Sequence, residues 1–154
     1  MAGARHPDPG AHVTTPLVKP LYTAKATATG GRAGHAVSDD GILDVDLRPP
    51  KEMGGPGGAT NPEQLFATGY AACFQSAMGV VGRRQGVDTS NSLVEADVTI
   101  GTVQGGGYGL AVVLRVTIPG VDPDTVRSVS EAAHQVCPYS NATRGNIDVT
   151  LETG

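Results

Sequence analysis

The chain has 154 residues, of which 39% are hydrophobic, 17% are charged and 22 are glycine, and its formal net charge is -4 at pH 7. This length allows one domain with a real core but not two full domains, and the composition is that of a globular protein. No run of basic residues is longer than the pair Arg83 and Arg84, so the charge pattern excludes nucleic acid and an anionic membrane surface as partners.

The first twenty residues are polar and interrupted by proline, with no apolar stretch long enough for a signal-peptide core. We therefore expect residues 1–20 to form a flexible tail, residues 21–154 to form the single domain, and the protein to be cytoplasmic. The one membrane-like stretch, residues 65–81, is broken by polar residues and glycines and lies at the short limit of a bilayer span. It predicts a buried helix of a soluble protein.

The first half of the domain combines a small sheet, a loop and a long helix. β-rich segments separated by turn residues predict a meander of two or three strands over residues 21–47, and prolines and glycines predict a loop over residues 48–58. A helix follows from Pro62, because Asn61 or the threonine before it can cap the start and Gly86 can end it. Its apolar residues run around the whole circumference, which indicates a central helix covered by a sheet or a second subunit.

The second half of the domain predicts a hairpin, a helix and a closing strand. Alternating apolar positions mark the strands, and an Asp-Pro pair and a later proline mark the start and end of the helix. These elements cover residues 92–103 and 108–119, the helix from Pro123 to Cys137, and residues 146–152. The order of strands, helix, strands, helix and strand is typical of an α+β fold with antiparallel β-sheets packed on two long helices.

Two cysteines, Cys73 within the long helix and Cys137 at the end of the second helix, are the candidate reactive groups. In a chain without an export signal we expect them to be reduced, which favours redox, catalytic or metal chemistry over a structural disulfide. There is no CxxC or HxxxH spacing and there are only four histidines, so we expect no bound metal. A dithiol and disulfide couple is consistent with the two thiols.

Two other interpretations stay open at this point. Free cysteines are commonly small buried hydrophobic residues, which allows a small apolar ligand-binding module with inert cysteines. A cysteine hydrolase would need a histidine base, for which His134, one helical turn from Cys137, and His35 are the candidates. The apolar surroundings of Cys73 and the presence of a second thiol favour redox cycling over hydrolysis.

A reactive Cys73 needs a nearby cation, because an apolar site raises the pKa of a thiol and disfavours the thiolate. Arg32, flanked by glycines, is the candidate cation, and Glu63 at the start of the long helix is its candidate carboxylate partner. Glu63 and Cys73 are ten positions apart (73 minus 63), or about 15 Å along a helix, so they cannot touch within one chain. Either Arg32 bridges part of this gap, or two long helices pack antiparallel and Arg32 and Glu63 face the partner subunit's Cys73. We predict a homodimer with two sites at its interface.

Three segments resemble the signature motifs of a known family. They are GGRAGHAVSDDG at 30–41, GGPGGATNPEQLFATGYAACFQSAM at 54–78 and HQVCPYSNATRGNIDV at 134–149. Over about residues 21–152 the chain resembles the organic hydroperoxide resistance proteins, within the larger group of osmotically inducible protein C-like thiol peroxidases. The order of the segments and the positions of both cysteines match that family.

This resemblance implies that Cys73 is the peroxidatic cysteine, Cys137 the resolving cysteine, Arg32 the residue that stabilises the thiolate and Glu63 the residue that orients Arg32. It implies an intertwined homodimer of α+β subunits. It further implies that alkyl and fatty acid hydroperoxides are reduced to alcohols through a Cys73 sulfenic acid and a Cys73–Cys137 disulfide, as protection against oxidative stress. No cofactor is implied to be bound, and the implied reductant is an external dithiol, the dihydrolipoyl group of a lipoylated protein.

The long helix offers apolar side chains for a substrate pocket. Each methylene buried there contributes about 0.8 kcal/mol, which favours bulky hydroperoxides over hydrogen peroxide. The sequence does not separate pocket residues from core residues among the candidates, which are Leu65, Phe66, Tyr70, Phe74 and Met78.

Overall fold

The computed structural model describes residues 14–154. Residues 1–13 of the predicted tail lie outside the described residues, and residues 14–20 are exposed and contain no helix or strand. The described residues form two three-stranded sheets and three α-helices, which is the α+β class that the sequence predicted.

The first sheet is a meander of three short antiparallel strands, as predicted. Its strands are β1 (Ala26–Thr29), β2 (His35–Ser38) and β3 (Asp44–Asp46), and the 3-10 turns of this half of the chain are Gly31–Ala33 and Lys51–Met53. None of the strand residues in this sheet is buried. The first sheet therefore contributes nothing to the hydrophobic core of a single chain.

The longest element is helix α1, Pro62–Gln85, which begins and ends where the sequence predicted. The Asn61 side chain accepts a hydrogen bond of 2.9 Å from the main-chain N–H of Gln64, which satisfies one of the free donors of the first turn. Gly86 ends the helix with a φ of 72°, a left-handed conformation that glycine adopts without a Cβ clash. The predicted loop over residues 48–58 contains no strand.

The second sheet has the order β4-β5-β6 and mixes two strand directions. It consists of β4 (Leu93–Thr102), β5 (Tyr108–Thr117) and β6 (Val149–Thr153). β4 and β5 form the predicted antiparallel hairpin, but β6 pairs with β5 in parallel, which corrects the expectation of a wholly antiparallel sheet. The reason is the connection: the chain leaves β5, crosses the sheet through helices and returns in the same direction, which short turns cannot achieve.

The crossover between β5 and β6 contains two helices where one was predicted. Helix α2 spans Pro123–Val136 and is capped by Asp122, and α3 spans Pro138–Thr143. The sequence pattern predicted only that Pro138 ends α2. Because proline has a helical φ and needs no hydrogen-bond partner at the first position of a helix, the same residue also begins α3.

The hydrophobic core lies between β5 and the helices α1 and α2. Its fully buried side chains include Tyr70, Phe74, Met78, Val112, Leu114, Val116 and Val129. Helix α1 is the one helix of residues 14–154 that is long and apolar enough to cross a membrane by length and composition, and here it is the helix on which this core is built. Only 33% of its most apolar window is buried within one chain, so part of α1 remains uncovered.

Two glycines one turn apart on α1 are expected to respond oppositely to a methyl group. A Cβ on Gly82 would lie 2.8 Å from the Val87 carbonyl oxygen, whereas a Cβ on Gly79 would make only ordinary contacts, the nearest at 3.6 Å. We expect Gly82→Ala to lower the free energy of unfolding by about 1–3 kcal/mol through overpacking, and Gly79→Ala to raise it by up to about 1 kcal/mol through helix propensity.

Urea unfolding of both variants beside the wild type, at one protein concentration, measures these changes. Equal destabilisation by the two substitutions would contradict the described packing of the turn after α1.

Candidate active site

The packing of α3 on α1 brings the two cysteines together. Cys73 lies in the middle of α1 and Cys137 at the joint between α2 and α3. Their Sγ atoms are 3.6 Å apart, although 64 positions separate them in the chain. Cys137 is fully buried, Cys73 is partly exposed at the edge of the core, and both are free thiols. The site is therefore a pair of adjacent thiols, of which only Cys73 belongs to a partly exposed residue.

The surroundings of Cys73 act on its pKa in opposing directions. Burial is the largest effect and raises the pKa of the Cys73 thiol, the main-chain N–H of Tyr139 lowers it as a hydrogen-bond donor, and the neighbouring Cys137 thiol raises it. The net direction is upward, as expected for a thiol in an apolar site. No arginine or lysine among residues 14–154 of the same chain is one of the groups that shift this pKa.

Arg32 and Glu63 form a two-bond ion pair within one chain. Arg32 Nη1 donates to Glu63 Oε2 at 2.8 Å and Nη2 donates to Oε1 at 2.6 Å, which is the fork geometry that guanidinium and carboxylate groups favour. These hydrogen bonds hold the pKa of Glu63 below its usual value, despite the burial that opposes this shift. The turn that carries Arg32 contains Gly30 and Gly31 with φ of 73° and 59°, which other residues rarely adopt.

Neither candidate histidine base is hydrogen-bonded to a thiol. His35 lies between Asp44 and Asp46 on the first sheet, with ring nitrogens 2.7 and 2.9 Å from their carboxylate oxygens. His134 Nδ1 lies 2.7 Å from the Ser140 hydroxyl. The pKa of His134 is lowered by burial and by the nearby charge of Arg144, which favours a neutral ring. The pairing of both rings with other groups argues against hydrolysis through a Cys-His pair.

The same serine belongs to a buried polar cluster that the sequence analysis did not find. The Tyr70 hydroxyl lies 2.9 Å from Ser140 Oγ and 3.1 Å from Thr143 Oγ1, so α1 and α3 meet through polar as well as apolar contacts. The spacing of Ser140 and Thr143, three residues apart after a proline, is typical of one face of a helix and was the available signal. It was missed because Pro138 was interpreted only as an end.

Two cavities share Phe66 and Leu110 in their linings, and neither is lined by a cysteine. One has a volume of about 570 Å³ and a mostly apolar lining that includes Tyr139 and Ile147. The other, of about 300 Å³, includes Arg32 in its lining. Of the five residues proposed for a pocket, only Phe66 lines these two cavities.

Tyr70, Phe74 and Met78 are 0% exposed and belong to the core, because the face of α1 that carries them packs on α2 and the sheet.

Tyr139 lines the apolar cavity and also acts on the Cys73 thiol. Its ring packs on Phe66 and Tyr70, with centroids 5.9 and 5.6 Å apart, and its main-chain N–H lowers the pKa of the Cys73 thiol. The ring lies over α1 where Gly69 has no side chain, since a Cβ there would be 2.7 Å from the tyrosine hydroxyl. A ligand in this cavity would therefore contact Tyr139, whose main-chain N–H lowers the pKa of the Cys73 thiol.

The chemistry available here is that of a thiol pair. Two free thiols in contact can form a disulfide through a mixed disulfide or through a sulfenic acid. The partly exposed Cys73 is the thiol that a reagent reaches first. No group of three or more His, Cys, Asp or Glu side chains in the described part of the chain is arranged to hold a metal ion. Fold and site together define an α+β protein with two adjacent free thiols.

The comparisons with known proteins agree with this class. A family model described as OsmC-like protein matches residues 55–152. The organic hydroperoxide resistance protein of Xanthomonas axonopodis pv. citri is 55% identical over 135 residues, which cover 86% of this chain and 94% of that protein. The organic hydroperoxide resistance protein OhrB of Bacillus subtilis is 48% identical over 86% of this chain and 97% of its own length.

Solved structures give the same result. The crystal structure of an organic hydroperoxide resistance protein from Elizabethkingia anophelis superposes with a TM-score of 0.84 at 51% identity, over 89% of this chain and 99% of that chain. The chain therefore belongs to the OsmC-like family and, within it, to the organic hydroperoxide resistance proteins, as the motifs of the sequence predicted.

The Arg32–Glu63 pair is expected to make stability depend on pH in a defined direction. Because the folded pKa of Glu63 lies below its unfolded value near 4.5, the pair contributes stability that is present above that pH and is lost as the pH falls through the folded pKa. Glu63→Gln should therefore destabilise the protein more at pH 7 than at about pH 3.5.

Urea unfolding of wild type and Glu63→Gln at the two pH values measures this difference. An equal difference in the free energy of unfolding between the two proteins at both pH values would contradict a charged pair. Glu52→Gln, on an exposed residue of the preceding loop, serves as the control.

Proposed function

We propose that the protein is a cysteine-based, thiol-dependent peroxidase that reduces organic hydroperoxides to alcohols and so protects the cell from oxidative stress. The observation that carries this proposal is the 3.6 Å contact between the partly exposed Cys73 and the buried Cys137. The names of the relatives, organic hydroperoxide resistance proteins at up to 55% identity among those described above, support the substrate class.

The proposed reaction begins at Cys73, the peroxidatic cysteine. Its thiolate attacks the terminal oxygen of the hydroperoxide, the O–O bond breaks, and the alkoxide takes a proton and leaves as the alcohol while Cys73 becomes a sulfenic acid. Cys137, the resolving cysteine, then attacks that sulfur, and the sulfenic hydroxyl leaves with the Cys137 proton as water. An external dithiol reduces the resulting Cys73–Cys137 disulfide and is itself oxidised to a disulfide.

The reductant that we propose is a dihydrolipoyl group on a partner protein, with no cofactor bound by this chain. We propose a cytoplasmic location, where a lipoylated protein and other dithiols keep the pair reduced. The apolar cavity of about 570 Å³ supports a preference for alkyl and fatty acid hydroperoxides over hydrogen peroxide, because each buried methylene contributes about 0.8 kcal/mol.

Arg32 is proposed to stabilise the thiolate and Glu63 to orient Arg32, in an intertwined homodimer. Glu63 holds Arg32 at the start of α1, about 15 Å along the helix from Cys73, and in one chain no arginine among residues 14–154 shifts the pKa of that thiol. A partner helix packed antiparallel would bring the pair to the partner subunit's Cys73.

Apolar surface left open by one chain also supports a second copy. The three strands of the first sheet have no buried residue, and part of α1 is uncovered. Leu17, Val18, Leu21 and Tyr22, which precede that sheet, are each more than 80% exposed. Apolar surface of this extent typically marks an interface between protein chains.

An intact-mass experiment tests the proposed reaction. Reduced protein mixed with one equivalent of cumene hydroperoxide should lose two hydrogens quickly as the disulfide forms. Cys73→Ser should show no change, and Cys137→Ser should accumulate a sulfenic acid or a further oxidised product. An equal dose of hydrogen peroxide, which offers no apolar group to bury, should react more slowly.

An unchanged mass in folded wild-type protein would overturn the peroxidase. It would favour instead a small apolar ligand-binding module with inert cysteines, for which the apolar cavity is the supporting observation.

Mixing two inactive variants tests whether Arg32 acts on its own chain or across the dimer. Arg32→Ala and Cys73→Ser are each expected to be inactive as homodimers. After subunit exchange, a mixed dimer has one complete site only if Arg32 serves the partner subunit's Cys73. Random exchange should then restore about one quarter of the wild-type rate, because about half of the dimers are mixed and each has one working site.

No recovery after exchange, with mixed dimers verified by native mass spectrometry, would place Arg32 and Cys73 of one chain in the same site. A native mass equal to that of one monomer, in protein with full activity, would overturn the homodimer itself.

A further inference from the structure

The buried polar cluster beneath Cys137 contains four contacts between hydrogen-bonding groups. Ser140 Oγ lies 2.7 Å from His134 Nδ1 and 2.9 Å from the Tyr70 hydroxyl, and Tyr70 lies 3.1 Å from Thr143 Oγ1. The Thr143 hydroxyl donates to the Ser140 carbonyl at 3.2 Å. Tyr70 and Ser140 are 0% exposed, so water does not compete for their two hydroxyls.

The number of available hydrogens determines which group donates in each contact of this cluster. Four contacts need four hydrogens, and the hydroxyls of Ser140, Tyr70 and Thr143 provide three. The fourth must come from His134, whose Nδ1 is then the donor to Ser140. Because Thr143 uses its hydrogen on the Ser140 carbonyl, Tyr70 donates to Thr143 and Ser140 donates to Tyr70. The neutral ring of His134 therefore carries its proton on Nδ1.

This chain of hydrogen bonds surrounds the joint that carries Cys137. His134 precedes Cys137 by one turn of α2, Ser140 and Thr143 follow it on α3, and Tyr70 lies one turn before Cys73 on α1. The four residues thus join the three helices that meet at the two thiols. Buried polar chains of this kind are costly when broken, because each remaining partner is left without a hydrogen bond.

We propose that His134, through Ser140, is a positioning residue that holds Cys137 against Cys73 for disulfide formation. These hydrogen bonds keep α3 packed on α1 while the thiols react. The positioning role rests on the proposed peroxidase only where the disulfide closes after a sulfenic acid has formed. Loss of these hydrogen bonds lets the joint between α2 and α3 move. Since disulfide closure requires close and specific approach of the two sulfurs, a shift of about 1 Å is expected to slow it by about tenfold or more.

Equilibration with oxidised and reduced glutathione tests the positioning without any peroxide. The two thiols give two electrons and two protons to glutathione disulfide, which leaves the protein disulfide and two glutathione thiols. We expect Ser140→Ala and His134→Leu to lower the equilibrium constant for the Cys73–Cys137 disulfide by about tenfold. His134→Asn, whose amide N–H can replace the Nδ1 donor, should stay within about twofold of the wild type.

Ser130→Ala is the matched control. Ser130 is also a fully buried serine of α2, but its hydroxyl donates to the Val126 carbonyl and takes no part in the chain. We expect it to leave the glutathione equilibrium unchanged. Tyr70→Phe, which keeps the ring and removes only the hydroxyl, provides the same test as Ser140→Ala if the serine variant does not fold.

Kinetics with cumene hydroperoxide then separate the two steps. The loss of the Cys73 thiol should proceed at the wild-type rate in His134→Leu, while closure of the disulfide slows and the sulfenic acid becomes trappable by dimedone. An equal effect of Ser130→Ala and Ser140→Ala, or no effect of His134→Leu on the glutathione equilibrium, would overturn the positioning role. If hydroperoxide leaves every variant unchanged but the glutathione pattern holds, the peroxidase fails and the positioning role stands.

Discussion

The contact between α1 and the joint of α2 and α3 is the interaction on which the rest of the site depends. It brings two sulfurs from opposite halves of the chain to 3.6 Å, and it places Tyr139, whose main-chain N–H lowers the pKa of the Cys73 thiol, at the start of α3. Pro138 makes this contact possible, because it ends α2 and begins α3 without leaving an unpaired main-chain N–H. Aromatic packing around Phe66 and Tyr139 then holds the outer side of the joint, and buried hydroxyls hold the inner side.

The position of Cys73 combines two opposing requirements. Cys73 lies at the edge of an apolar core, and this burial raises the pKa of a thiol that the proposed reaction uses as a thiolate. A main-chain donor offsets part of this cost within one chain. The candidate cation, Arg32, is held by Glu63 in the first turn of α1. The homodimer proposed above would bring this ion pair to the partner subunit's Cys73 and would cover apolar surface that one chain leaves exposed.

Much of the fold was predictable because its boundaries are local. The start and end of α1 follow from Asn61, Pro62 and Gly86, whose backbone preferences act within one turn of the helix. The direction of β6 was not predictable in this way. Whether the last strand pairs parallel or antiparallel with β5 depends on how the helical crossover packs on the sheet, and an alternating pattern is the same for both directions.

For the site, the sequence by itself determined the reactive residue types and their family, since the two cysteines, Arg32 and Glu63 stand in long, specific motifs. It also determined that Cys73 lies in an apolar helix, because apolar residues run around the whole circumference of that helix. Only the tertiary structure decided which side chains line the cavity, that Phe66 faces it while Phe74 fills the core, and that His134 reaches Ser140. The reason is that facing, burial and hydrogen-bond partners depend on contacts between distant segments, and such contacts leave no periodic signal in the local sequence.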